Sequence, residues 1–157
     1  MIRVLFVCHG NICRSPMADA VMTHLVREAG LSDRIAVDSA GTHGWHIGEP
    51  PHRHTVAVLN THGIKPVGAA RQLRAADFDT FDYMLAMDRH NLDDMVRFTT
   101  AGKADVRLLL HDLHQLGHTA YNEVIDPYPN GDFDQTFRDI YAACAHLLDR
   151  IRDEHGL

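Results

Sequence analysis

Cysteine is scarce: Cys8, Cys13 and Cys144 are the only three in 157 residues. They are too few and too unevenly spaced to staple a secreted mini-domain, which predicts free thiols in a reducing compartment. Long apolar runs are missing as well. The opening stretch Ile2 to Val7 gives way to polar Cys8-His9-Gly10-Asn11, and no later segment approaches the ~18 continuous apolar residues of a membrane span. Positive charge is in deficit, with 15 Lys+Arg against 21 Asp+Glu and a net charge of −6, so nucleic acids and acidic membrane surfaces are not expected partners. There is no Gly-x-Gly-x-x-Gly, no internal repeat and no low-complexity tract, which argues against a dinucleotide site, a solenoid and a disordered chain. What remains is an ordinary composition, 45% hydrophobic and 23% charged. That length and composition suit a single domain over residues 1–157, soluble and cytoplasmic.

Ile2 to Val7 is apolar with little polar alternation, the pattern of a strand covered on both faces in a parallel sheet. Ser15-Pro16 reads as a helix N-cap followed by proline at the first helical position, and Met17, Ala20, Val21, Leu25 and Ala29 continue at helical spacing up to Gly30. Ile35 to Val37 predicts a second strand, followed by an irregular stretch from Ser39 to Arg53 that is rich in glycine and proline. A helix from about His54 to His62, strands over Phe81 to Met87 and Val106 to Leu110, and a helix capped by Asp88 and carrying Leu92, Met95 and Val96 complete the alternation. In the last helix Phe133, Phe137, Ile140, Tyr141, Cys144, Leu147, Leu148 and Ile151 recur at three- and four-residue steps and predict a stripe packed on a sheet. Strands alternating with helices give an α/β fold with a doubly wound parallel sheet, in which ligands gather at the carboxyl ends of strands. Cys8 stands at such an end.

Between the first strand and the first helix lies Cys8-His9-Gly10-Asn11-Ile12-Cys13-Arg14-Ser15-Pro16. A short loop entering a helix aims backbone N–H groups at one spot where the helix dipole favours negative charge, so this loop is expected to cup an anion. It lacks the lysine and glycine spacing of a nucleotide P-loop, which points to a phosphate-like dianion instead. The same field stabilises a thiolate, because cysteines at helix N-termini near cations ionise at about pH 3.5–7.5. Cys8 is therefore the expected nucleophile. Arg14 offers a planar fork for two phosphoryl oxygens, and the Ser15 hydroxyl can donate to the sulfur as it attacks and as it leaves. A cysteine six residues before an arginine also fits a buried structural turn; Gly10, Asn11, the helix start and the preceding strand favour the anion loop.

The stretch Val7 to Ala18, VCHGNICRSPMA, resembles the signature of the low-molecular-weight protein tyrosine phosphatases. The likeness continues through Asp38-Ser39-Ala40-Gly41-Thr42, Trp45-His46, Ala70-Arg71-Gln72, Asp82-Tyr83 and Met87-Asp88 to Asp126-Pro127-Tyr128. The resemblance implies a four-stranded parallel sheet flanked by helices, a cysteinyl-phosphate intermediate, no metal or other cofactor, and tyrosine-phosphorylated proteins as substrates of a monomer or weak dimer. It makes Cys8 the nucleophile, Arg14 the phosphate clamp, Ser15 the thiolate partner, Asn11 a brace of the loop with Ser39 as its hydrogen-bond partner, and Asp126 the general acid. His9, Gly10, Ile12 and Cys13 complete the loop. In one respect this chain departs from the family, which often has a histidine at the position of Gly68; the bracing of Asn11 is expected to be thinner or to draw on His9 or another group.

Chemistry supports Asp126 independently. A leaving oxygen needs a proton donor, and a positioned carboxyl contributes about 10²–10⁴. Pro127 forces Asp126 out of helical geometry, and a carboxyl facing a thiolate and a dianion is held protonated longer. Trp45, Tyr128 and Ile12 are expected to wall a slot for a flat ring. Cys13, five residues beyond Cys8 on the same curled loop, is the expected partner of an oxidised Cys8.

Other assignments are open at this stage. His111, His114 and His118 would share a helix face, but Gly117 and the lack of cysteine or glutamate ligands nearby favour solvated histidines. Arsenate reductases share the scaffold but recruit further downstream cysteines, whereas here only Cys144 follows, inside the apolar stripe. Protein-arginine phosphatases often carry threonine where Ile12 stands. A silent phosphate-binding module would need neither a thiolate nor an acid.

Overall fold

The computed structural model describes residues 1–98 and 101–157. Four strands, β1 (Ile2–Cys8), β2 (Ile35–Gly41), β3 (Tyr83–Ala86) and β4 (Asp105–Leu108), form one parallel sheet in the order β2-β1-β3-β4. The helices are α1 (Arg14–Glu28), α2 (Arg53–Thr61), α3 (Asp77–Thr80), α4 (Arg89–Phe98), α5 (His111–Gln115), α6 (Pro127–Asn130) and α7 (Phe133–His155). The strand order reverses between β1 and β3, and in doubly wound sheets the crevice at that reversal is where ligands bind. Cys8 ends β1 at this point, paired in register with Gly41.

The apolar run of β1 is buried on both faces. Val4, Phe6 and Cys8 join the core under α1 and α7, while Leu5 and Val7 join a second cluster with Phe78, Met84 and Met95. The sheet therefore carries the predicted two-sided cover. Helix α7 buries Phe133, Phe137, Ile140, Cys144, Leu147, Leu148 and Ile151. It starts where the Asp132 side chain accepts from Gln135 N–H and stops at Gly156 in the left-handed conformation.

Four expectations are corrected. Ser15 is not a cap: α1 begins at Arg14, Cys13 occupies the cap position without a side-chain bond, and the Ser15 hydroxyl turns inward to Cys8. Pro16 still falls in the first turn, where a missing N–H costs nothing. Ser39 lies in β2 and not in an irregular stretch; β2 is an edge strand, so Asp38 and Ser39 can sit in it, with Asp38 accepting from the Ser39 N–H. Tyr141 is 40% exposed because it follows Ile140 by one helical step and so faces away from the stripe, and Val96 on α4 is likewise exposed. The strands β3 and β4 are also shorter than predicted, since Phe81 terminates α3 and Leu110 leads into α5. No helix among the described residues is long and apolar enough to cross a membrane.

Candidate active site

The loop from Cys8 to Arg14 is held from below and from the side. The Thr42 N–H donates to the Cys8 carbonyl at 2.9 Å and the His43 N–H to the His9 carbonyl at 3.0 Å, so the loop keeps pairing past the end of β2. Gly41 permits this approach: a Cβ there would meet the His9 carbonyl oxygen at 2.9 Å and Asn11 Cβ at 3.1 Å. Asn11 takes the left-handed conformation, φ 58°, which asparagine tolerates better than most residues. Its side chain fixes the turn with three bonds. Nδ2 donates to Ser15 Oγ at 2.8 Å and to Ser39 Oγ at 2.9 Å, and Oδ1 accepts from the Arg71 N–H at 2.9 Å.

These contacts settle how Asn11 is held with Gly68 in the place of histidine. Its amide is occupied by Ser15, Ser39 and the Arg71 backbone, and Gly68 lies beside a small gap near Asn11 and Ser39. His9 takes no part in this; its ring rests on His43, with centroids 4.0 Å apart. Burial, and then the neighbouring His43, lower the pKa of His9. Behind Ser39, burial together with Asp38 pushes the Asp19 carboxyl up to about 7.

Cys8 is almost fully buried, and its Sγ lies 3.0 Å from Ser15 Oγ, which places the sulfur against the first turn of α1. Arg14 is 3% exposed and aimed by two acceptors: Nη1 donates to Asp88 Oδ2 at 2.6 Å and to the Val124 carbonyl at 2.8 Å. Sequence reasoning took Asp88 as a helix cap only. Its Oδ1 does accept from the Asn91 N–H at 2.8 Å, while the other oxygen orients the arginine. The signal available was positional, since Asp88 follows β3 at the carboxyl edge of the sheet. Arg71, which offers its backbone to Asn11, is itself anchored by Asp38 and Asp77, each at 3.0 Å.

Asp126 stands across the pocket with extended backbone, φ −67° and ψ 115°, as a residue before proline should. Its Oδ1 accepts from the Tyr128 N–H at 3.1 Å and its Oδ2 lies 3.9 Å from Arg14 Nη2. A pocket of about 230 Å³ opens between these groups, with Cys8, Ile12, Arg14 and Asp126 in its lining and Trp45 and Tyr128 at its mouth, 72% and 66% exposed. His9, Gly10 and Cys13 also border it, while Asn11, Ser15 and Ser39 lie behind the loop. Burial, followed by the proximity of Cys8, pushes the Cys13 thiol up to about 12. The histidines noted in the sequence do not gather: His111 and His114 lie on α5, His118 falls beyond its end, and His114 Nδ1 contacts the Thr119 carbonyl.

A sulfur and a guanidinium at the two ends of an anion-cupping loop, on a doubly wound sheet with a carboxyl opposite, define a cysteine-dependent phosphatase. The sequence model for low molecular weight phosphotyrosine protein phosphatase matches residues 3–156, and the chain belongs to that family. It is 42% identical over 158 residues to the low molecular weight protein-tyrosine-phosphatase YfkJ of Bacillus subtilis, covering 100% of both chains. The crystal structure of YfkJ superposes with a TM-score of 0.92 over 99% of this chain and 97% of that one, at 41% identity. The PtpA enzyme of Staphylococcus epidermidis is 39% identical, with 100% of this chain and 98% of that one covered. A Drosophila arginine phosphatase is also similar, 34% identical with a TM-score of 0.86 over 96% of this chain and 98% of that one.

Proposed function

We propose that the protein hydrolyses phosphotyrosine in proteins, and small aryl phosphates, through a phosphocysteine at Cys8. The observation that carries this is the Cys8 sulfur, 3.0 Å from the Ser15 hydroxyl, in a pocket that Arg14 and Asp126 both line and aromatic side chains flank. Sγ attacks phosphorus in line, the P–O bond to the tyrosyl oxygen breaks, and Asp126 gives that oxygen its proton. Arg14 and the loop N–H groups hold the equatorial oxygens as charge spreads over them. In the second step the Asp126 carboxylate takes a proton from water, the water oxygen bonds to phosphorus, and the sulfur departs with its charge stabilised by the Ser15 O–H. No step draws on a metal.

Ile12 in the pocket lining is apolar and suits contact with an aromatic ring, which supports phosphotyrosine over phosphoarginine. An arsenate-reducing relay through Cys144 lacks support, since that thiol is fully buried in α7 against the Ala18 carbonyl. Paired kcat/KM measurements on phosphotyrosine and phosphoarginine peptides test the substrate class. At least a tenfold preference for phosphotyrosine is expected; preference for phosphoarginine would overturn it, and turnover of neither would leave a binding module. The free thiols fit a reducing cytoplasm, and the net charge of −6 fits protein substrates better than nucleic acid.

Asp126→Asn is expected to slow alkyl and other poor leaving groups by about 10² while leaving activated aryl esters nearly unchanged, since only the former need a proton. A leaving-group series measures this, and equal slowing across it would remove Asp126 from the acid role.

Cys13 is proposed as the thiol that protects Cys8 from over-oxidation, because both residues line the same pocket. Condensation with a Cys8 sulfenic acid needs the Cys13 thiolate, and burial, which pushes that thiol up whatever the state of Cys8, keeps the thiolate scarce at neutral pH. Protection should therefore grow as pH rises. After peroxide, the activity recovered with dithiothreitol is expected to increase from pH 7 to pH 9 in the parent and to stay low in Cys13→Ser; equal recovery in both proteins would show that Cys13 gives no protection.

A further inference from the structure

Outside the groups that take part in the reaction, one set of side chains converges around His9, which borders the pocket. Ligand atoms of His9, His43 and Asp94 lie within 4.8 Å of one another, although the three residues come from the loop after β1, the segment after β2 and helix α4. We propose that His9, His43 and Asp94 form a binding site for a borderline divalent transition ion such as Zn²⁺ or Co²⁺. Two imidazole nitrogens and one carboxylate oxygen are the donor set such ions prefer, and alkaline-earth ions, which want oxygen, do not.

The surroundings are those of a prepared site. His43 Nδ1 is engaged by Thr42 Oγ1 at 3.0 Å, which fixes the ring and leaves its other nitrogen for an ion. Arg97 Nη1 lies 3.4 Å from Asp94 Oδ1, but its side chain is 79% exposed and holds the carboxylate weakly. Bonds of about 2.0–2.1 Å to a tetrahedral ion place neighbouring ligand atoms roughly 3.4 Å apart, so small side-chain rotations close the cluster. Three protein ligands leave a coordination position open to solvent. Since His9 follows Cys8 directly and His43 stacks on Trp45, with centroids 4.8 Å apart, an ion here ties the anion loop and one slot wall to α4.

Trp45 is the only tryptophan in the chain, so its fluorescence reports the site without reference to turnover. Titration of the reduced protein with Co²⁺, which is paramagnetic, is expected to quench Trp45 saturably at one ion per chain. EDTA should reverse the quench, and diamagnetic Zn²⁺ should displace Co²⁺ and restore emission. Asp94→Asn, which leaves the rings around Trp45 untouched, is expected to raise the Co²⁺ midpoint at least tenfold, as is His43→Gln. Cys8→Ser is expected to keep the parent midpoint. An unchanged midpoint in Asp94→Asn and His43→Gln, or loss of the quench in Cys8→Ser, would place the ion elsewhere and overturn the proposal. Because the readout is optical, failure of this site and failure of the phosphatase mechanism remain distinguishable.

Discussion

Cys8→Ser is expected to bring the turnover of aryl phosphates down to background, a loss on the order of 10⁴ or more. The substitution exchanges sulfur for oxygen with little change of shape at a residue 3% exposed, so the anion loop should persist. What it removes is the nucleophile. A hydroxyl is a far weaker acid than a thiol, and the group in contact with it, the Ser15 hydroxyl, is no base. The oxygen would sit in the anion-stabilising field of α1 without becoming an anion. Competitive binding of inorganic phosphate is expected to survive in this variant, which separates loss of chemistry from loss of the site. Residual turnover above about one hundredth of the parent would mean that the nucleophile lies elsewhere.

How much of this was legible in the chain depended on whether the signal was local. β1, α1 and α7 could be read because apolar periodicity and caps are written in neighbouring residues. The nucleophile, the arginine and the loop lie within one short segment, whereas Asp126 before Pro127 reads as an ordinary turn residue until that loop supplies a leaving group to protonate. The cap role given to Ser15 was wrong because a serine before proline at a helix start looks the same whether its hydroxyl caps the helix or turns inward to the Cys8 sulfur. The hold of Asp88 on Arg14, the hold of the Arg71 backbone on Asn11, and the meeting of His9, His43 and Asp94 all join residues far apart in sequence. Strand order makes those meetings, and strand order carries no local mark. The regularly spaced histidines 111, 114 and 118 were conspicuous in the sequence, yet α5 ends at Gln115.

Arg14→Lys should be almost as damaging as loss of the nucleophile, although it keeps the charge. In the structure Nη1 is committed to two acceptors, Asp88 Oδ2 at 2.6 Å and the Val124 carbonyl at 2.8 Å, which leaves the rest of the fork for the phosphoryl group. Arginine can serve its anchors and its ligand at once because its five N–H donors are spread over a rigid plane. Lysine has one nitrogen. Drawn to Asp88, it deserts the phosphoryl oxygens; drawn to them, it leaves a carboxylate only 19% exposed without its partner. Removing a single transition-state donor costs about 10²–10³, and here a bidentate pair is lost, so a fall in kcat on the order of 10³ is expected. Steady-state kinetics measure it, and a loss below about tenfold would locate the clamp elsewhere. Competition for the ammonium makes a further demand: adding Asp88→Asn to Arg14→Lys should free the lysine and raise kcat above that of the single variant. If the double variant is slower still, the carboxylate of Asp88 does more for the reaction than aim Arg14.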